Sequence, residues 1–128
     1  MIELTLANMA YGPEAIGRHE GRAIFVPLTI PGEIARVEIA EERKTFARAR
    51  LLEILSPSPD RIAPPCPHFG ACGGCHWQHM NYAAQLRWKR EVVADQLRRI
   101  GGFENPPVRE TIPSPSPLNY RNHIQFAL

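Results

Sequence analysis

All three cysteines of this chain fall within one ten-residue run, Cys66-Pro-His-Phe-Gly-Ala-Cys72-Gly-Gly-Cys75. Buried structural thiols usually sit in apolar strands or helices, whereas these sit among prolines and glycines. A disulfide is disfavoured by the odd count. It is disfavoured as well by the cytosolic location expected from a start, Met1-Ile2-Glu3-Leu4, with neither a basic nor an apolar signal region, because cytosolic thiols are kept reduced. Glycines at 70, 73 and 74 let the backbone wrap closely, so sulfurs with five and two residues between them can converge on one centre. Thiolates bind zinc or an iron–sulfur cluster, and either centre needs a fourth ligand. Two completions fit the spacing. His79 follows Cys75 with three residues between them and would close a Cys₃His zinc site with Cys66, Cys72 and Cys75. His68 and His76 lie too near a ligating cysteine to reach as well. In the other completion the fourth thiolate lies outside this chain and the centre is a [4Fe–4S] cluster.

The second group of chemically capable residues is basic. Formal charge is only +2, too small to argue for nucleic acid by itself. Residues 1–64 carry 8 basic and 9 acidic side chains and residues 65–128 carry 7 and 4, so the positive excess lies in the second half. Only Lys44 and Lys89 are lysines, and arginine suits phosphate because its planar fork donates two hydrogen bonds at once. An arginine-biased source genome would give the same ratio. Lys44, Arg48 and Arg50 flank or occupy one expected strand, where Arg48 and Arg50 share a face. Arg87, Lys89 and Arg90 fall early in an expected helix beside Trp88, and cations with an aromatic can hold phosphate and stack a base. Solvated strand and helix faces would look the same.

The elements that must position these groups follow from hydrophobic period and proline. Ile2, Leu4 and Leu6 alternate with Glu3 and Thr5, which predicts a strand. A loop holding Gly12, Pro13 and Gly17 is expected next, then strands over Arg22 to Leu28, Ala35 to Ile39 and Phe46 to Leu55. Four or five short strands with no room for a helix predict a small closed barrel over 1–56. Prolines crowd 57–65 and 106–117, and neither stretch can be a helix interior or a central strand. The first is expected to be a linker. Residues 66–103 then hold the cysteine loop and a helix over 82–100, capped by Asn81, with Gly101 at its C-terminal stop. Tyr82, Leu86, Val93, Leu97 and Ile100 are expected to form its packed face. Residues 104–128 are a second proline-rich linker, and Ile124 to Leu128 is expected to open a strand of a further domain. The fold class is therefore mainly β with one long helix.

The run Cys66-Pro-His-Phe-Gly-Ala-Cys72-Gly-Gly-Cys75-His-Trp-Gln-His79, followed by Gln85 and Lys89, resembles the cluster loop of S-adenosylmethionine-dependent RNA uracil-C5 methyltransferases. Gly17, Gly21, Phe25-Val26-Pro27 and Pro31-Gly32-Glu33 resemble the TRAM domain, an OB-like barrel, that opens those proteins. Tyr120-Arg121-Asn122 resembles the motif that begins their central β domain. The glycine-rich turn usual in such a TRAM module is here Gly12-Pro-Glu-Ala-Ile-Gly17, a departure from the pattern. The resemblance implies RNA binding, ribosomal or transfer, and a [4Fe–4S] cluster on Cys66, Cys72 and Cys75 with its fourth cysteine in the central domain. It places the S-adenosylmethionine site, catalytic cysteine and proton-abstracting glutamate further downstream. No catalytic residue is assigned here, and the chain is expected to be an N-terminal piece, inactive alone.

A stand-alone zinc or iron–sulfur RNA-binding module is the alternative. A TRAM-bearing radical enzyme of the methylthiotransferase kind spaces its cluster cysteines C-x₃-C-x₂-C, against C-x₅-C-x₂-C here. A composition of 44% hydrophobic and 22% charged residues marks a globular rather than a disordered chain and excludes a long acidic or basic tail. No apolar run approaches the about 20 residues needed to cross a bilayer. A cytoplasmic, membrane-free monomer is expected.

Overall fold

The alternating run at the N-terminus forms strand β1, Ile2–Met9, with Leu4, Leu6 and Met9 buried and Glu3 and Thr5 outward. The computed structural model describes residues 1–125. Four further strands follow: β2, Glu14–His19; β3, Arg22–Pro27; β4, Ile34–Glu42; and β5, Phe46–Ser56. They close into a barrel in the order β1-β2-β3-β5-β4, with β4 returning to β1. Every pairing is antiparallel except that of β3 with β5. This is the five-stranded OB-type barrel. Its interior holds Leu6, Ile24, Val26 and Val37 against alanines at 15, 35, 47 and 49, whose small side chains let so short a sheet curl shut.

Strand β2 corrects the expected loop. Gly17, placed in a loop by its type, pairs with both Leu6 and Ile24 inside the sheet. A Cβ there would stand 2.6 Å from both Leu4 Cγ and the Thr5 carbonyl oxygen. The glycine is present because β1 and β2 approach too closely for any side chain, and glycine is the residue that hides a strand from pattern reading.

Helix α1 spans Tyr82–Arg99. Asn81 Oδ1 accepts from the Ala84 N–H at 2.8 Å, as an N-cap should. At the other end the left-handed residue is Gly102, with φ 73°, one position beyond the expected Gly101. The packed face also differs from expectation. Ala84 and Val92 are buried and Trp88 packs on the same core, while Val93 is 50% and Ile100 80% exposed. Ala84, Trp88 and Val92 recur every four residues, and the small Ala84 admits the helix close to the barrel. The Tyr82–Leu86 side instead receives the proline-rich segment, which runs antiparallel to the helix. Arg90 Nε donates to the Val108 carbonyl (3.1 Å), Thr111 Oγ1 to the Leu86 carbonyl (2.8 Å) and the Ser114 N–H to the Tyr82 hydroxyl (2.7 Å). Ile124 and Gln125 are not in a strand, and the rest of the strand expected over Ile124 to Leu128 lies outside the described residues.

Candidate metal and nucleic-acid site

The cysteine loop grows from a stem fastened to the barrel. Glu33, in the β3–β4 connection, is fully buried. Its carboxylate accepts from Arg61 Nε and Nη2 (2.5 and 2.9 Å), from the Ile30 N–H (3.0 Å) and from the Ser58 N–H (3.4 Å). Arg61 Nη2 also donates to the Leu28 carbonyl at 2.8 Å. The segment expected to be a linker is thus bolted to the barrel by a bidentate ion pair. Opposite it, Arg61 bridges to Met80, the Ile62 N–H donates to the His79 carbonyl (3.0 Å) and the Asn81 N–H to the Asp60 carbonyl (2.9 Å). Asp60 carboxylate oxygens accept from Asn81 Nδ2 (3.0 Å) and Arg87 Nη2 (2.5 Å). Nothing in the spacing of these residues announced the clamp. A glutamate in a Pro-Gly-Glu turn reads as a surface group.

Between the two stem segments lies the cysteine loop. The Cys66 N–H donates to Gln78 Oε1 (3.1 Å), the Phe69 N–H to the Cys66 carbonyl (3.2 Å) and the Cys72 N–H to the His68 carbonyl (2.9 Å). Gln85 Nε2 donates to the Trp77 and Met80 carbonyls at 3.1 and 2.9 Å, tying the loop's far end to α1. Trp77 Nε1 donates to the Gly12 carbonyl at 2.9 Å. Cys66 is half-buried, Cys72 and Cys75 are exposed, and all three are free thiols. Cys72 Sγ lies 3.4 Å from where a Cβ on Gly74 would stand, so the glycine leaves that sulfur its space. The donor set suits a thiolate-bound centre. Among the described residues, no three His, Cys, Asp or Glu side chains are gathered to hold a metal ion.

His79 is not gathered with the cysteines. Its ring is buried, 5.3 Å from the Phe69 ring centroid, with Nε2 3.3 Å from the Thr29 carbonyl and Nδ1 lacking a partner. Burial holds its pKa below the ordinary histidine value. The nearby Arg61 acts in the same direction, against the Thr29 hydrogen bond and Glu33.

The basic residues separate into neutralised pairs and free cations. Arg48 and Arg50 share the outer face of β5, between buried Ala47 and Ala49, as their spacing required. Arg48 lies 3.5 Å from Glu14, Arg50 2.6 Å from Glu38, Arg87 2.5 Å from Asp60 and Arg90 3.4 Å from Glu91. Lys44 and Lys89 are exposed, and no carboxylate pairs with either among the described residues. The helix cation that faces Arg48 across a cleft is Arg99, which sequence spacing did not single out. No helix among the described residues is long and apolar enough to cross a membrane.

Residues 7–52 match the TRAM domain family. The chain is 45% identical over 98% of its length to an uncharacterized RNA methyltransferase of Nitratidesulfovibrio vulgaris, of which it covers 27%. It is 42% identical over 99% of its length to another from Chlorobaculum tepidum, again covering 27%. The chain thus spans about a quarter of the length of these relatives. The Pyrococcus abyssi tRNA (uracil-54, C5)-methyltransferase in complex with S-adenosyl-L-homocysteine is 31% identical, with a TM-score of 0.46, covering 78% of this chain and 21% of that one.

Proposed function

We propose that this chain, a TRAM-matched barrel clamped to a cysteine loop, is the RNA-binding and iron–sulfur segment of an RNA (uracil-5-)-methyltransferase. The observation that carries the reading is similarity along nearly the whole chain to proteins named RNA methyltransferases. The methyl donor, S-adenosylmethionine, and the catalytic residues belong to the three quarters of the relatives' length that this chain does not span. The substrate is ribosomal or transfer RNA. Cys66, Cys72 and Cys75 would supply three thiolates to a [4Fe–4S] cluster, whose fourth ligand would come from outside this chain. When bound, the cluster serves as a structural crosslink, since methyl transfer needs no electron transfer. This chain's own residues do the rest. Glu33 and Arg61 fix the loop's stem to the barrel, Gln85 ties its far end to α1, and Lys44, Arg48, Arg50, Arg87, Lys89 and Arg90 meet RNA phosphates.

Titration of a structured RNA with the 128-residue chain at two salt concentrations tests the reading. Binding is expected to be weak at low salt and to fall as salt rises, because each phosphate contact releases a counterion. Absence of binding at low salt, or affinity indifferent to salt, would overturn it.

A further inference from the structure

At the neck of the cysteine loop the backbone runs out of donors. The last backbone rung of the stem is the Ile62 N–H on the His79 carbonyl, at 3.0 Å. Pro64 and Pro65 follow, and neither has an N–H to give. The next rung is made by a side chain instead, with the Cys66 N–H donating to Gln78 Oε1 at 3.1 Å. Only the oxygen of an amide side chain can accept, so this donor fixes which way the Gln78 amide points.

Gln78 can hold what it bonds because the residues on either side of it are anchored. The Trp77 ring donates from Nε1 to the Gly12 carbonyl at 2.9 Å, in the β1–β2 connection. The Trp77 carbonyl accepts from Gln85 Nε2 and from the Met80 N–H, both at 3.1 Å. His79 is buried, its ring 5.3 Å from that of Phe69 and its Nε2 3.3 Å from the Thr29 carbonyl. From this fixed point the Gln78 side chain joins the arm that descends from Cys75 to the arm that begins at Cys66. The turn after Cys66 is bonded within itself. The Cys66 carbonyl accepts from the Phe69 N–H at 3.2 Å, the His68 carbonyl accepts from the Cys72 N–H at 2.9 Å, and Phe69 bridges to Cys72. Two of the three thiols therefore belong to a turn whose first residue Gln78 holds.

We propose that Gln78 is a positioning residue for the thiolate centre. It binds no metal itself. It sets the Cys66 backbone so that the first thiolate is in place before the centre assembles with Cys72 and Cys75. The inference rests on the metal-centre reading above and deepens it, by naming what orders an exposed, glycine-rich loop. Ligands held before binding lose less freedom on binding, and removing an outer partner of a metal ligand typically costs about 10–100-fold in affinity.

The test is titration of the reduced 128-residue chain with cobalt(II), read by its sulfur-to-metal absorption. Gln78→Leu, similar in size but without an acceptor, should bind cobalt about tenfold more weakly. Gln78→Glu, which keeps an oxygen for the Cys66 N–H, should recover most of that loss. Gln96→Leu, late in α1, should bind as the parent does. A double-mutant cycle separates positioning from plain stability. Because Gln78 acts through Cys66, Gln78→Leu should cost nothing further in a Cys66→Ser background, whereas a merely structural role would cost the same in both. Without any variant, the Cys66 amide of the metal-free parent should exchange its hydrogen slowly, and exchange as fast as that of an open amide would show that the rung does not exist. Equal cobalt affinity in parent and Gln78→Leu, or an equal loss in both backgrounds, would overturn the positioning role and leave the thiolate centre standing. A parent chain that binds no cobalt would overturn both.

Discussion

Glu33 is a charged side chain with no exposed surface, held by one arginine and two backbone donors. Removing one member of a buried ion pair strands the other, which costs about 3–5 kcal/mol. Arg61→Met should therefore destabilise the chain by about that amount in urea unfolding, and a Glu33→Leu, Arg61→Met double variant should recover much of it. A double variant no more stable than Arg61→Met alone would show that the pair is not the source of the loss. His79 gives a second residue-level prediction. Burial lowers its folded pKa below the unfolded value, so between the two the unfolded chain binds more protons. Stability should be unaffected above about pH 7 and should fall as pH drops below about 6.5 toward the lowered value. In His79→Gln, which can still donate to the Thr29 carbonyl, that part of the slope should disappear from the pH dependence of the melting temperature.

Elements here are shaped by close approach as much as by pattern. Gly17→Ala would put a Cβ against a backbone oxygen, which cannot swing aside as a side chain end can. A loss of about 1–3 kcal/mol is expected, seen as a lower melting temperature with the same far-ultraviolet spectrum. At the start of α1, Asn81 does two jobs. Its oxygen caps the helix and its amide nitrogen reaches Asp60 in the opposite stem segment. Asn81→Ala should cost about 1–2 kcal/mol, and Asn81→Asp, which keeps the cap but loses the donor to Asp60, should fall in between. Equal stability of all three would mean the cap is not the start of the helix.

At the scale of the whole molecule, the clamp and the stem make barrel, cysteine loop and helix one unit. Three thiols on one loop are an incomplete set for a four-iron cluster. Purified in air, this chain should carry no stable cluster. Anaerobic reconstitution with iron and sulfide should give a brown species that bleaches on exposure to air, and Cys72→Ser or Cys75→Ser should prevent it from forming. Four irons per chain that persist in air would reveal a fourth ligand among this chain's own residues.

Sequence alone determined the period-two strands, the capped helix and the clustering of the cysteines, because each is written in neighbours a few residues apart. Asn81 and its helix, or Arg48 and Arg50 on one strand face, need only local geometry. Gly17 was misread because its strand exists to meet Leu4 and Thr5, more than ten residues away, and absence of a side chain carries no pattern. The helix face was misread for a related reason. Periodicity picked Tyr82, Leu86, Val93, Leu97 and Ile100 as the packed face of α1, and only the shape of the barrel decides that Ala84, Trp88 and Val92 dock while Val93 and Ile100 face outward. The same holds for the sites. That three cysteines share a loop was legible, whereas the Glu33–Arg61 clamp joins groups 28 residues apart. Tertiary structure likewise decided that Arg99, not the cations early in the helix, stands across from Arg48, because only packing the helix on the barrel brings its last turn to the mouth of the cleft.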